Sequence, residues 1–462
     1  MNFLNDLFSN PFVDHNYIKL CFLLVFLASF TLLLKSYIIQ LLESMGFIKN
    51  IERIGLLERL AFVNKLKSGV GSFIDQLSQT KYIKDIGVIL LMVISTRLIL
   101  FLLAFMGWMI TKDQSIGFWS SMEMLWNKWD SGHYMYIAEN WYTNDLESDK
   151  RYHLVFYPLY PVLIKGVYFF VKSYFWSGVI VSNISLFLGC TYLYKLVKID
   201  YEEDVAFRAV KYVLIYPITF FLSITFSESV FFTLSIMTVY YLRRHKWFLT
   251  GICGMFAAVS RNFGIFLLIP VFAEFLLYFA DAYRNRKDGK LVMKLLKGLN
   301  IMFIPAGFSL YLLLNKLISG DWFTFLKYQK EYWSQSFGMF YENIKTTFIN
   351  AIPGVSTWGA ADRISIWVPQ AFSIILVSIL LVYGIKRIRT SYSLYMLVYI
   401  TAALSPTWLI SGTRYLMCVF PMFIIFACIS KKRIWDFVLT FVSVILLAYF
   451  ALTFTSDFGR LM

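Results

Sequence analysis

From Tyr17 to the C-terminus the chain repeats one pattern, an apolar stretch of near-bilayer length followed by a short polar break. A helix rising 1.5 Å per residue crosses the hydrocarbon core in about 20 residues. The pattern places membrane segments near 17–35, 86–110, 177–197, 205–223, 228–243, 247–260, 263–280, 298–317, 364–385, 391–409, 414–430 and 434–454. Two have fewer than 17 residues, 228–243 and 247–260. The pairs around 205–243 and 247–280 are therefore expected to be hairpins whose tips lie in the outer leaflet above a water-filled cavity. The stretch 157–172 would break the alternation if it crossed, so it is expected as a juxtamembrane or re-entrant helix at the outer face. The fold class expected is an all-α polytopic membrane protein of about 12 segments, without tandem repeats.

Composition agrees with the pattern, since 59% of the 462 residues are hydrophobic and 15% are charged. A soluble protein of this length needs more charge to cover its surface. The net charge of +15 does not indicate nucleic acid, because basic residues gather in cytoplasmic loops of membrane proteins and no basic-aromatic nucleic-acid module is visible.

Five basic clusters lie at 45–85, 243–246, 281–297, 386–389 and 431–433, and all are expected in the cytoplasm. The N-terminal 16 residues carry no Lys or Arg and are expected outside. So is the 112–157 loop, with four basic residues against seven acidic ones, and so is the second long loop at 319–363. The domain reading is an N-terminal extension at 1–85, a membrane helix plus an amphipathic cytoplasmic loop, followed by a transmembrane catalytic domain at 86–462. Cys21, Cys190, Cys253, Cys418 and Cys428 show no zinc spacing and read as packing residues.

The polar residues at the expected outer turns are the candidates for chemistry. In the first outer loop, a helix through Trp129-Asp130-Ser131-Gly132-His133-Tyr134 puts Asp130, His133 and Tyr134 on one face. A carboxylate beside an imidazole and a phenol can remove a proton from a hydroxyl. The same residues would also serve as an interfacial aromatic belt in which Asp130 caps a helix. Tyr157-Pro158-Leu159-Tyr160-Pro161 turns the chain back to the membrane, and Tyr160 is a candidate for the wall of a sugar site. Glu228, Arg261 and Arg414 each fall at a further outer turn. Ionisable groups at membrane depth are expensive, and arginine suits a phosphate through paired hydrogen bonds. A structural ion pair between Glu228 and an arginine is the alternative. Lys327, Lys330, Glu331, Trp333 and the Asp362-Arg363 pair fit a solvated amphipathic helix as well as a sugar or phosphate site. His153 and His245 read as incidental, and the four histidines are too scattered for a metal site. No glycine-rich nucleotide-binding loop occurs in a strand-turn-helix context.

Taken together these motifs resemble a known family. Trp129-Asp130-Ser131-Gly132-His133-Tyr134 with Ile137-Ala138 is similar to the WD-x-x-HY-x-x-IA signature of PIG-V-like mannosyltransferases, members of the C-type (GT-C) glycosyltransferase superfamily. Phe156-Tyr157-Pro158-Leu159-Tyr160-Pro161 resembles that family's F-[FY]-P-L-Y-P. Pro217 with Phe226-Ser227-Glu228-Ser229 resembles its P-then-Y-S-E-S element, with Phe226 in place of the usual tyrosine. Ser260-Arg261-Asn262-Phe263-Gly264 resembles S-R-x-x-G, and Arg414-Tyr415 before Pro421 resembles the late R-Y-x(5)-P. The five occur in order between about 86 and 430, most of the chain.

The resemblance implies a GT-C fold and transfer of a sugar, commonly mannose, from a polyprenyl-phosphate-linked donor on the lumenal or extracellular face. It implies Asp130 as catalytic base in an inverting transfer. Arg261 and Arg414 would stabilise the leaving phosphate, and Trp129, His133, Tyr134, Tyr160 and Glu228 would be substrate-side residues. No cofactor is expected, with a divalent metal left open. The expected partners are the lipid-linked donor, a lipid or cell-envelope glycan acceptor and membrane lipids, but no nucleic acid; some members of this family also need an accessory membrane subunit. The membrane would be the plasma membrane in a prokaryote and the endoplasmic reticulum in a eukaryote. Two rival readings are a transporter or flippase for lipid-linked glycans and a non-catalytic scaffold of the same fold.

Overall fold

The computed structural model describes residues 16–45, 71–112, 117–143, 145, 148–284 and 291–456. Most of the basic 45–85 loop lies outside the described residues. The described chain is all-helical with no strand; one isolated bridge joins Phe337 to Pro406.

Seven helical stretches are long and apolar enough to cross a membrane: Ile18–Met45, Lys81–Ile110, Tyr174–Asp200, Asn262–Arg284, Leu291–Ser319, Ala360–Gly384 and Arg433–Thr455. Their outward faces carry bare hydrocarbon, as at Ile110, which is 81% exposed. Large apolar side chains facing outward along whole helices need lipid rather than water around them. The chain is an integral membrane protein.

In order, the helices are α1 (Asn16–Met45), α2 (Gly71–Lys112), α3 (Phe118–Trp126), α4 (Asp130–Asn140), α5 (Leu159–Val171), α6 (Tyr174–Asp200) and α7 (Glu203–Ile215). They continue as α8 (Glu228–Arg243), α9 (Trp247–Ser260), α10 (Leu268–Arg284), α11 (Leu291–Gly298), α12 (Phe303–Ser319) and α13 (Thr324–Trp333). The last six are α14 (Phe340–Ala351), α15 (Val368–Gly384), α16 (Thr390–Ala403), α17 (Gly412–Met417), α18 (Pro421–Ile429) and α19 (Arg433–Thr455).

Seven of the expected segments coincide with the long helices, 228–243 and 247–260 are helices with the expected bounds, and the other three are shorter or broken. The expected 205–223 span ends at Ile215, because Pro217 lacks the N–H a helix needs and disfavours helical backbone at the residue before it. Residues 216–227 then run as an irregular, fully buried segment apart from a single half-buried position at Pro217. The expected 414–430 span is two short helices, with Pro421 opening the second. The expected 391–409 helix stops at Ala403, ahead of Pro406. Residues 159–171 form a helix of 13 residues, too short at 1.5 Å per residue to cross.

Helices α8 and α9 form an antiparallel hairpin whose lengths decide where the site lies. They have 16 and 14 residues, so they span about 24 and 21 Å at the α-helical rise. A hydrocarbon core is about 30 Å thick. The hairpin is therefore shorter than a full crossing, and its ends at Glu228 and Ser260 lie at a recess, with Ser260 on the wall. At its other end Arg243 donates to both Asp200 oxygens (2.5 and 2.7 Å) and to the Tyr392 hydroxyl (2.6 Å). Arg389 and Glu274 form a second tight pair there, at 2.5 and 2.8 Å.

The N-terminal helix α1 packs on α10, α14 and α16. Lys19 meets Glu342 at 2.6 Å, and the Tyr37 hydroxyl donates to Ala273 O at 2.8 Å. Of the five cysteines, all are free thiols, and Cys190, Cys253 and Cys418 are buried in the helix packing.

Candidate active site

The recess opens into a cavity of 930 Å³ between α4, the start of the 262–284 helix, α13 and the 402–415 segment. Asp130 is the first residue of α4. It does not cap that helix: the cap position is Trp129, which makes no side-chain cap bond. Trp129 has φ 56°, ψ −126°, a conformation unfavourable for a residue with a side chain. Such backbone costs of order 1–3 kcal/mol and persists where the surroundings impose it. Here it turns the chain so that Trp129, Asp130, His133 and Tyr134 all line the cavity.

Beneath them lies a chain of four charges. Arg414 Nη1 is 2.8 Å from Asp130 Oδ2, and Arg414 Nε is 3.2 Å from Glu228 Oε1. Arg261 Nη1 is 2.7 Å from the same Glu228 oxygen. The α8–α9 hairpin makes the last pair, because antiparallel helices of nearly equal length bring the first residue of one beside the residue after the other. Arg261 also donates to Ser227 Oγ at 3.0 Å, and Ser227 Oγ lies 2.7 Å from the Tyr134 hydroxyl. The motifs at 129–134, 226–229, 260–264 and 411–415 therefore meet in one polar cluster.

Buried charges survive only when paired, and two carboxylates here balance two guanidiniums. Exposure differs along the cluster and separates the roles. The Glu228 side chain is wholly buried, those of Arg414 and Arg261 are 5% and 10% exposed, and that of Asp130 is 23% exposed. Asp130 is thus the acid of the cluster that a ligand in the cavity can reach. Glu228 is a counter-ion beneath the cavity floor and does not line it. Tyr160 does not line it either: its hydroxyl is buried 2.8 Å from Ser182 Oγ and donates to Gly178 O at 3.0 Å. Both were expected on the substrate side, and both instead brace the walls.

Other residues were not evident from the sequence. His153 packs beside His133, with Nδ1 of His133 3.3 Å from Nε2 of His153, and its ring stacks on Tyr136 at 4.5 Å. Burial lowers the basicity of both rings, and His153, which also faces His133, is brought down to about 4. Arg97, in the middle of α2, donates to Thr219 O and Ser223 Oγ, both at 3.2 Å, and also to Leu214 O. It braces the irregular segment that delivers Ser227 and Glu228. Gln370 does the same for Arg414, donating to Leu409 O at 3.0 Å while Gly412 N donates to its Oε1 at 2.9 Å. A lone arginine in an apolar run and a glutamine in a span give no signal of what backbone they will meet.

The 319–363 loop supplies the remaining wall. Lys327, Lys330 and Trp333 of α13, with Gln335 and Phe337, line the cavity opposite α4. The loop is tied to the Arg414 segment by Gly338 N to Ser405 O at 2.8 Å and Thr407 N to Ser336 O at 2.9 Å. Asp362 and Arg363 lie away from the cavity wall. Among the described residues no group of three or more His, Cys, Asp or Glu is placed to hold a metal ion.

No protein-family profile matches the sequence, and no curated protein matches it. The resemblance to PIG-V-like enzymes therefore stands on its motifs alone. Among solved structures, the chain is similar to the apo oligosaccharyltransferase of Archaeoglobus fulgidus, at 8% identity and a TM-score of 0.42. The similarity covers 80% of this chain and 56% of that one, so this chain spans little more than half of its length.

Proposed function

We propose that the protein is a membrane-embedded glycosyltransferase of the GT-C type. It moves a sugar, in the first instance mannose, from a polyprenyl-phosphate-linked donor to a hydroxyl of a lipid or cell-envelope glycan on the non-cytoplasmic face. The observation that carries this reading is Asp130, the accessible acid of a buried charge cluster, at the floor of a large cavity with polar and aromatic walls. Five ordered motifs like those of PIG-V-like mannosyltransferases support it, and four of them converge on this floor.

In the proposed step Asp130 takes the proton from the acceptor hydroxyl. The acceptor oxygen bonds to the anomeric carbon as the bond from that carbon to the phosphate oxygen breaks, and polyprenyl phosphate leaves with the electron pair. One displacement inverts the anomeric centre. A phosphate is a stable leaving group, so the step needs a base but no strong acid. Arg414 fixes the orientation of the Asp130 carboxylate, and Trp129 and Trp333 offer flat apolar faces to a sugar ring. The basic clusters at the far end of the hairpin support an active site on the outer face.

Sugar transfer from radiolabelled polyprenyl-phosphate mannose tests the reading, with purified wild type and Asp130→Asn run on lipid extract of the host. Transfer by wild type that the variant loses, with unchanged thermal unfolding, supports it. Equal transfer by both removes Asp130 from the mechanism. Silence of both with every polyprenyl-linked sugar supplied favours the transporter or scaffold.

A further inference from the structure

The two arginines nearest the candidate base line the cavity but are already engaged by carboxylates. Each is buried against a carboxylate, Arg414 at 2.8 Å from Asp130 and Arg261 at 2.7 Å from Glu228. The four charges cancel, so the floor presents no net positive charge to an incoming anion. Drawing Arg414 onto a ligand would take it from Asp130 and Glu228, and drawing Arg261 away would leave Glu228 to Arg414 alone, so either move gives up a buried ion pair.

The cavity has other cations. Lys327 and Lys330 lie three residues apart on α13, so their side chains share one face. Both line the cavity and both are exposed. Neither has a carboxylate within ion-pair distance among the described residues. Their neighbour Glu331 is turned to Arg151, at 3.4 Å. Arg151 Nε also donates to the Tyr332 hydroxyl at 2.9 Å, which holds α13 over the cavity instead of leaving it free on the surface. The same cavity also has hydrocarbon in its wall, from Ile265, Phe266, Phe308, Phe325 and Leu326. Leu326 is itself 51% exposed, so this apolar wall runs out to the surface of the molecule.

We infer that Lys327 and Lys330, and not the buried arginines, hold the phosphate of the polyprenyl-linked donor, an assignment that rests on the transferase reading above. An anion on a long apolar tail fits this wall: the phosphate sits at the lysine pair, the isoprenoid follows the phenylalanines outward, and the sugar projects towards Asp130. Ammonium groups on flexible stems can follow a phosphate as it changes from diester to departing monoester, which a guanidinium locked in a buried pair cannot.

The test uses the full-length protein in phosphatidylcholine nanodiscs, with lipid binding measured by native mass spectrometry. The probes are a polyprenyl monophosphate, the matching polyprenol and phosphatidic acid. Wild type is compared with the double variant Lys327→Gln/Lys330→Gln, whose exposed side chains leave the packing alone. The expected result is a preference of wild type for the polyprenyl phosphate over the alcohol. The double variant should lose it by roughly tenfold or more, the scale of two charge-assisted contacts, with polyprenol binding unchanged. Unchanged phosphate affinity in the variant overturns the lysine assignment and leaves the transferase reading standing. A wild type that prefers neither lipid overturns the donor reading and the assignment with it. Phosphatidic acid bound as tightly, and lost as steeply, would make the pair a phospholipid headgroup site and overturn the assignment.

Discussion

Arg414 stands 2.8 Å from Asp130 and 3.2 Å from Glu228, so one guanidinium joins the acid that faces the cavity to the acid buried beneath it. The two acids consequently differ in what their loss should do. Asp130→Asn removes a base that reaches the ligand, and general-base catalysis is worth about 10²–10⁴ in rate. Its expected signature is a kcat loss on that scale with little change in melting temperature. Glu228→Gln leaves two buried arginines with one carboxylate between them, and breaking a buried ion pair costs about 3–5 kcal/mol. That variant should unfold at a clearly lower temperature in detergent. A Glu228→Gln protein as stable as wild type would mean that the cluster is not held by charge balance.

Two glycines in the motifs should behave in opposite ways. A Cβ on Gly264 would lie 2.3 Å from the Ala257 backbone, so the residue sets how closely the turn after Arg261 packs on α9. Gly264→Ala is expected to cost about 1–3 kcal/mol, typical of overpacking, and to displace Arg261 from Glu228. A Cβ on Gly132, within α4, would meet nothing within 4 Å. Gly132→Ala is expected to raise stability by about 0.5–1 kcal/mol by favouring the helix. Thermal unfolding of both variants checks the pair, and a Gly132→Ala protein that is destabilised would contradict the open space beside it.

The sequence made the apolar helices and the face shared by Asp130, His133 and Tyr134 readable, because both depend on short-range periodicity. It also carried the ionisable residues at turns, since charge in an apolar chain is conspicuous. What it could not carry were long-range partners. Nothing local to Glu228 says that two arginines will neutralise it, or that Tyr160 will bond to Ser182 and Gly178 instead of facing a sugar. The 205–223 span failed because hydropathy cannot tell a helix from a buried irregular segment; Pro217 was the local sign of the break. His153 was passed over because its partners, His133 and Tyr136, are distant in sequence.

Arg97 and Gln370 act on the site through backbone, and that gives them a distinct signature. Arg97→Met would leave the Thr219 and Leu214 carbonyls without their donor in a buried segment, at about 1–3 kcal/mol for each unsatisfied group. The segment leads to Ser227 and Glu228, so kcat should fall together with stability, and Arg97→Lys should restore part of both. Gln370→Leu should reduce kcat by loosening the Gly412–Arg414 turn. Kinetics at saturating donor, beside unfolding curves, separate these effects from substrate binding. A rise in KM alone would place either residue at the ligand instead.

The His133–His153 pair predicts how stability depends on pH. Burial holds His153 down to about 4, against an ordinary value near 6.5, so the folded protein keeps this ring neutral where the unfolded chain would protonate it. The unfolded state then binds more protons between those values, and stability falls as the pH drops from about 6.5 towards 4. Above about 6.5 both states hold the ring neutral, and the contribution is flat. His133 is shifted in the same direction for the same first reason, burial, with Asp130 opposing it. His153→Gln should therefore flatten the decline of melting temperature across that window while leaving the alkaline side unchanged. Melting curves of wild type and variant at pH 7.5, 6.5, 5.5 and 4.5 make the comparison, and parallel slopes would mean that His153 titrates as freely in the fold as outside it.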